Sequence, residues 1–147
     1  MKKILAISSS GGHWTQLQRI KKSFEGCEVV YVSTIKGYSK EVPEHRFYTV
    51  TDASQWSKLK LIKLFYELTK VIFKEQPDFI ISTGAAPGAL GILLARFIGA
   101  KTIWLDSVAN YEKLSLSGEL VKKITHLHLT QWEHLQTNKT QFKGKVL

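Results

Sequence analysis

The chain has 147 residues, 44% of them hydrophobic, which fits one globular domain spanning 1–147 and excludes disorder. A single cysteine, Cys27, excludes an internal disulfide framework and fits a reducing compartment; no sequence neighbour activates it as a nucleophile. The formal net charge of +9 suits nucleic acid, an anionic lipid surface or a phosphorylated substrate, but zinc spacing and RNP aromatics are absent, so no nucleic-acid partner is expected.

In chain order, the apolar run behind Met1-Lys2-Lys3 is too short for a signal peptide, and no later stretch reaches the roughly 18 apolar residues of a membrane span. The expectation is a soluble or peripheral protein. A strand over 4–8 runs into Ser8-Ser9-Ser10-Gly11-Gly12-His13, and a helix is predicted over 14–24. Strand, small-residue loop and helix make a corner where backbone N–H groups face an anion. The dinucleotide pattern G-x-G-x-x-G is missing. His13, at the junction, is positioned to donate to a phosphate or to move a proton, against the plainer role of bonding within its own loop.

A second strand is predicted at 28–33, and a polar connection over 34–55 holds one more at 47–50. The helix predicted over 56–75 puts Lys60, Lys63, Glu67, Lys70 and Lys74 on one stripe. Leu61, Leu64, Phe65, Leu68, Val71 and Ile72 make a core face, while Leu59, Ile62, Tyr66 and Phe73 form a second apolar strip. That surplus beside lysines fits contact with a membrane surface or a partner; burial under the 34–55 connection is the alternative.

A strand at 79–83 leads through Thr83-Gly84-Ala85-Ala86-Pro87-Gly88 into a helix over 87–98. Pro87 suits a first helical turn. Gly88 and Gly91 permit close approach of a neighbour or a ligand, and two such loops at one sheet edge favour a phosphate-bearing ligand. Strands at 102–106 and 125–129 follow, with a short helix near 116–123. Asp106-Ser107 stands at a strand end, where a carboxylate binds sugar hydroxyls, acts as a base, or caps the next segment. His126 and His128 alternate on one strand without a metal-ligand pattern and read as structural; His45 and His134 carry no signal. The alternation of short apolar strands with helices predicts an α/β fold: a single Rossmann-like domain, its parallel sheet covered by helices on both faces.

Ser9-Ser10-Gly11-Gly12-His13, Ser82-Thr83-Gly84 with Pro87-Gly88, Asp106-Ser107, Leu114-Ser115-Leu116-Ser117-Gly118 and Gln131-Trp132-Glu133 occur in the order of a known family. The chain resembles the acceptor-side, membrane-recruiting subunit of split GT-B glycosyltransferases. One group in that family serves the eukaryotic UDP-GlcNAc transferase of the dolichol pathway; the nearer group is similar to bacterial capsule and exopolysaccharide subunits. The Gly-Gly-His loop is shared more widely, including by the peptidoglycan GlcNAc transferase. Two departures stand out: the eukaryotic subunits begin with a membrane-spanning helix, and the position of Asp106 is often Glu.

The resemblance implies the N-terminal half of a GT-B fold, a separate donor-binding subunit for the UDP-sugar, a polyprenyl-diphosphate-linked sugar acceptor, and no metal or other cofactor. It implies that Ser9, Ser10, Gly11, Gly12, His13, Gly84, Ala85, Pro87 and Gly88 hold the acceptor diphosphate; His13 and Asp106, by their places at the loop and the strand end, are the catalytic candidates. Leu59, Ile62, Lys63, Tyr66, Lys70 and Phe73 would meet an anionic membrane or the partner, placing the protein in the cytoplasm, peripheral at the inner face of the cell membrane. A free-standing nucleotide binder is the alternative, though Ser33-Thr34-Ile35-Lys36 offers no ribose-binding acid; a non-catalytic scaffold is another.

Overall fold

Short, nearly continuous apolar runs build the sheet. In the computed structural model, which describes residues 1–53 and 57–146, the strands are β1 (Lys3–Ile7), β2 (Glu28–Ser33), β3 (Arg46–Thr49), β4 (Phe79–Ser82), β5 (Lys101–Leu105), β6 (Leu127–Thr130) and β7 (Gln141–Phe142). They form one sheet in the order β3-β2-β1-β4-β5-β6-β7, parallel throughout. Helices are α1 (Gly12–Arg19), α2 (Lys58–Glu75), α3 (Ala85–Ala95) and α4 (Leu116–Val121).

Successive side chains of a strand point to opposite faces. On one face Leu5, Ile7, Val30, Val32, Ile80 and Trp104 pack against Leu64, Leu68 and Ile72 of α2, Ile92 of α3 and Val121 of α4. On the other, Ile4, Ala6, Val29, Tyr31 and Ile81 meet Trp14 and Leu17 of α1, with Phe24 and Val42. The Rossmann-like α/β expectation holds. Over β5 and β6 this second face carries a groove of about 410 Å³ beside the C-terminal segment Lys143–Val146.

Several predicted boundaries shift. The helix expected over 14–24 ends as an α-helix at Arg19 and continues as a 3-10 turn, Lys21–Phe24. The start of the helix expected at Trp56 lies outside the described residues; α2 opens at Lys58, where the Ser57 hydroxyl accepts from the Lys60 amide. The strand expected over 125–129 begins at Leu127, which leaves His126 on an exposed turn instead of on one strand face with His128. β7 is a two-residue strand held through Gln141 and Phe142 against β6, too short for periodicity to announce.

Candidate functional site

In a parallel sheet the loops leaving the C-terminal strand ends gather at one edge. β1 and β4 are neighbours, so the loop before α1 and the loop before α3 stand side by side. His13 and Thr83, 70 positions apart, stitch them together: the His13 ring Nδ1 lies 3.0 Å from the Thr83 carbonyl, and the Thr83 hydroxyl donates to the His13 carbonyl at 2.6 Å. A carbonyl only accepts, so Nδ1 carries a proton in this bond. The neutral ring then keeps a lone pair on Nε2 to take a proton; the charged ring offers a second N–H to an anion.

Gly84 makes room for that ring. Its φ is +144°, and a Cβ there would lie 2.3 Å from His13 Nδ1. The next residue, Ala85, has φ +69°, a left-handed conformation that a residue with a Cβ adopts at a cost of about 1–3 kcal/mol when the surroundings enforce it. Such strain gathers at ligand-binding loops. Among the described residues no side chain caps α1 or α3, and neither has an acid in its first turn. Both helix N-termini therefore keep their partial positive charge for an outside anion.

The expected diphosphate residues divide. Ser10, Gly11, Gly12, His13 and Ala85 are exposed or half-buried at the edge. The Gly11 amide is already engaged by the Tyr38 hydroxyl at 3.0 Å, and Tyr38 stacks on Trp14 with ring centroids 4.7 Å apart. The Ser9 carbonyl accepts from Ser33 at 3.3 Å. Pro87 and Gly88, by contrast, are buried. A Cβ on Gly88 would fall 1.8 Å from the Ser82 Oγ and 3.2 Å from the Trp104 ring, so this glycine serves close packing of α3 on the sheet. Of the two readings offered by sequence, packing is the one its surroundings favour.

Asp106 is 1% exposed. Its Oδ1 accepts from Trp104 Nε1 at 3.0 Å and from the Ser115 hydroxyl at 2.6 Å, and its Oδ2 accepts from the Ser115 amide at 3.0 Å. Ser115 in turn caps α4 through the Gly118 amide at 2.9 Å. The carboxylate thus has both oxygens engaged in fixing Ser115, the cap of α4, and with it the loop between β5 and α4.

A buried amide network, unmarked by periodicity, underpins the edge. Gln16 on α1 donates to the Ser107 hydroxyl at 3.1 Å and accepts from the Val108 amide at 3.2 Å and from Gln131 at 2.5 Å. Gln131 also donates to the Asp106 carbonyl at 3.0 Å and accepts from the Val146 amide at 2.7 Å. The one sequence signal for Gln16 was a polar residue between the buried Trp14 and Leu17. Ser8 Oγ and Thr34 Oγ1, at the ends of β1 and β2, are buried without a hydrogen-bond partner among the described residues.

His128 is structural, as expected: its ring bonds the Gly118 carbonyl and the Thr140 hydroxyl, both at 2.9 Å. Burial lowers its pKa below the ordinary histidine value, against the opposing effect of the Gly118 bond. His134 carries more than its sequence announced, since its Nε2 bonds the Tyr111 carbonyl.

Away from the edge, Leu59, Ile62, Tyr66 and Phe73 of α2 are exposed, Leu59 by 80%. Burial under the preceding connection does not occur for them. Phe65, expected in the core, is also exposed, because Leu64, Leu68 and Ile72 already fill the space over the sheet. Lys63 and Lys70 flank the strip, with Lys70 Nζ 5.4 Å from the Tyr66 ring centre. Among the described residues no helix is long and apolar enough to cross a membrane.

Comparison with known proteins fits this geometry. The family model "Oligosaccharide biosynthesis protein Alg14 like" matches residues 42–146. The chain belongs to the Alg14-like family. It is 22% identical over 180 residues to the UDP-N-acetylglucosamine transferase subunit ALG14 of Mus musculus, covering 99% of this chain and 83% of that one. Among solved structures it is similar to MurG of Acinetobacter baumannii (TM-score 0.77, 12% identity, 97% of this chain and 46% of that one). It is also similar to a UDP-N-acetylglucosamine 2-epimerase of Rickettsia bellii (TM-score 0.74, 14% identity, 99% and 45%). At such identities the structures speak for the fold alone: the chain spans about half the length of each, and its sheet is that of one GT-B half.

Proposed function

We propose that this Alg14-like chain is the acceptor-binding subunit of a two-part glycosyltransferase of polysaccharide or lipid-linked oligosaccharide synthesis. The observation that carries the reading is the His13–Thr83 stitch, which joins two uncapped helix N-termini into one anion-facing edge. That edge holds the diphosphate of a polyprenyl-diphosphate-linked sugar, with Ser10, Gly12, His13 and Ala85 nearest to it. The acceptor hydroxyl attacks the anomeric carbon of a UDP-sugar held by a separate donor-binding subunit, and UDP leaves. His13 Nε2 either accepts the hydroxyl proton or, protonated, steadies the diphosphate. The exposed strip of α2 and its lysines rest on an anionic membrane, on the cytoplasmic side, and bring the edge to its lipid-borne substrate.

Reconstitution tests the division of labour. A UDP-sugar and a short-chain prenyl-diphosphate sugar are supplied to this chain, to its donor-binding partner and to the two together. Transfer is expected with both present. Transfer by this chain alone, or equal transfer by the partner alone, overturns the reading.

A further inference from the structure

The rim above β5 and β6 presents an aromatic ring that the fold holds still and leaves open. Tyr111 is 55% exposed, yet three contacts fix it. Its carbonyl accepts from His134 Nε2, its hydroxyl donates to the Glu112 carboxylate at 3.2 Å, and its ring meets Trp132 edge-on, with centroids 6.0 Å apart at 62°. Trp132 is itself anchored: its Nε1 donates to the Val108 carbonyl at 2.7 Å, and Lys145 Nζ sits 4.0 Å from its ring centre. Trp132 comes two residues after β6 ends, so its contact pins Tyr111 to the C-terminal edge of the sheet, the edge that carries the two anion-facing loops.

An immobilised, open tyrosine beside a carboxylate has the two chemistries that recognise a sugar. The ring face receives the apolar C–H face of a pyranose, and the carboxylate accepts from its hydroxyls. The spacing fits as well. Neighbouring strands lie about 4.8 Å apart, so the C-terminal ends of β5 and β6 stand roughly 5 and 10 Å from that of β4, on the same edge as the loops proposed to hold the diphosphate.

We propose, resting on the acceptor reading above, that Tyr111 is the stacking wall for the acceptor's sugar ring and that Glu112 binds that ring's hydroxyls. Diphosphate and sugar are then read by separate parts of the edge: the first by the loops after β1 and β4, the second by the loops after β5 and β6.

The test uses the complex of this chain with its donor-binding partner and two probes, a short-chain prenyl diphosphate with and without one hexose. Calorimetry should show the hexose-bearing probe bound more tightly. Tyr111→Ala should cut that preference by about fivefold to tenfold while leaving the bare diphosphate as it was, and Tyr111→Phe, which keeps the ring, should retain it. A preference that survives Tyr111→Ala, or an equal loss for both probes, overturns the inference. Wild-type complex that binds both probes alike overturns the inference alone. Binding of neither probe overturns the acceptor reading and this inference with it.

Discussion

At the N-terminal end of the sheet, where β1, β3 and α2 meet, the Glu75 carboxylate is fully partnered. Arg46 reaches it through two nitrogens at 2.7 and 3.1 Å, the Tyr48 hydroxyl donates at 2.8 Å, and Lys3 lies 3.4 Å away. At the C-terminal end the arrangement is reversed. Two helix N-termini are uncapped, Ala85 is held left-handed, and the Ser8 hydroxyl is buried without a partner among the described residues. One end satisfies its polar groups and stabilises the fold; the other leaves them open and strained, as sites that await a ligand do. Loss of function is therefore expected at the open loops, and loss of stability where polar groups are satisfied, at Glu75 and in the buried amide network beneath the open edge.

The largest effect belongs to the open end. Gly84→Ala drives a Cβ into the His13 ring and should lower transfer by the two-subunit complex about 10²-fold or more, the scale of losing a positioned acid–base group. Its melting point should fall less than that loss of activity implies, and an active Gly84→Ala complex would contradict the placement of His13. Next comes Gln131→Leu, which strips partners from Gln16, the Asp106 carbonyl and the Val146 amide together. It should cost about 1–3 kcal/mol by chemical denaturation, because buried polar groups lose their bonds.

The closed end should show itself in pH. Burial by itself would raise the Glu75 carboxyl, but bonds from Arg46, Tyr48 and Lys3 outweigh it and hold the pKa at about 2, below its ordinary 4.5. A folded-state pKa below the unfolded one gives stability that is full above pH 4.5 and lost as pH falls from there towards 2. His128, kept neutral by burial, adds an earlier loss that begins as pH drops below its ordinary 6.5. Thermal melts across pH should show both steps, and Glu75→Gln should remove the lower one; a Glu75→Gln curve parallel to wild type would break the assignment. The smallest effect on stability belongs to α2. Ile62→Ser with Phe73→Ser should release the chain from anionic liposomes while changing stability by only about 0.5 kcal/mol, since both side chains are exposed. Unchanged sedimentation would assign the strip to another surface.

Much of this contrast was legible beforehand, for definite reasons. Unbroken apolar runs along Ile4–Ile7, Val29–Val32 and Phe79–Ile81 report burial on both faces, so the central strands and the fold class followed from them. The edge loops announced themselves through glycine and small residues. What stayed hidden needed three dimensions. The His13–Thr83 bond exists because β1 and β4 are neighbours, which spacing along the chain does not reveal. Gly88 carries the same letter whether it approaches a ligand or Ser82, and only its surroundings separate the two. Asp106 resembled a strand-end acid until Trp104 and Ser115 were seen to occupy it. Phe65 sits one position along the helix from Leu64, and periodicity alone does not mark where the core face of α2 stops.

In the proposed function the open edge acts on the lipid-diphosphate acceptor through His13. The most direct measurement is the rate of sugar transfer by the complex of this chain with its donor-binding partner, wild type against His13→Ala, across concentrations of each substrate. A loss of about 10²-fold or more in kcat/KM is expected for the prenyl-diphosphate sugar, with the KM for the UDP-sugar unchanged. A His13→Ala complex that matches wild type, or one whose defect lies in the UDP-sugar alone, would contradict it.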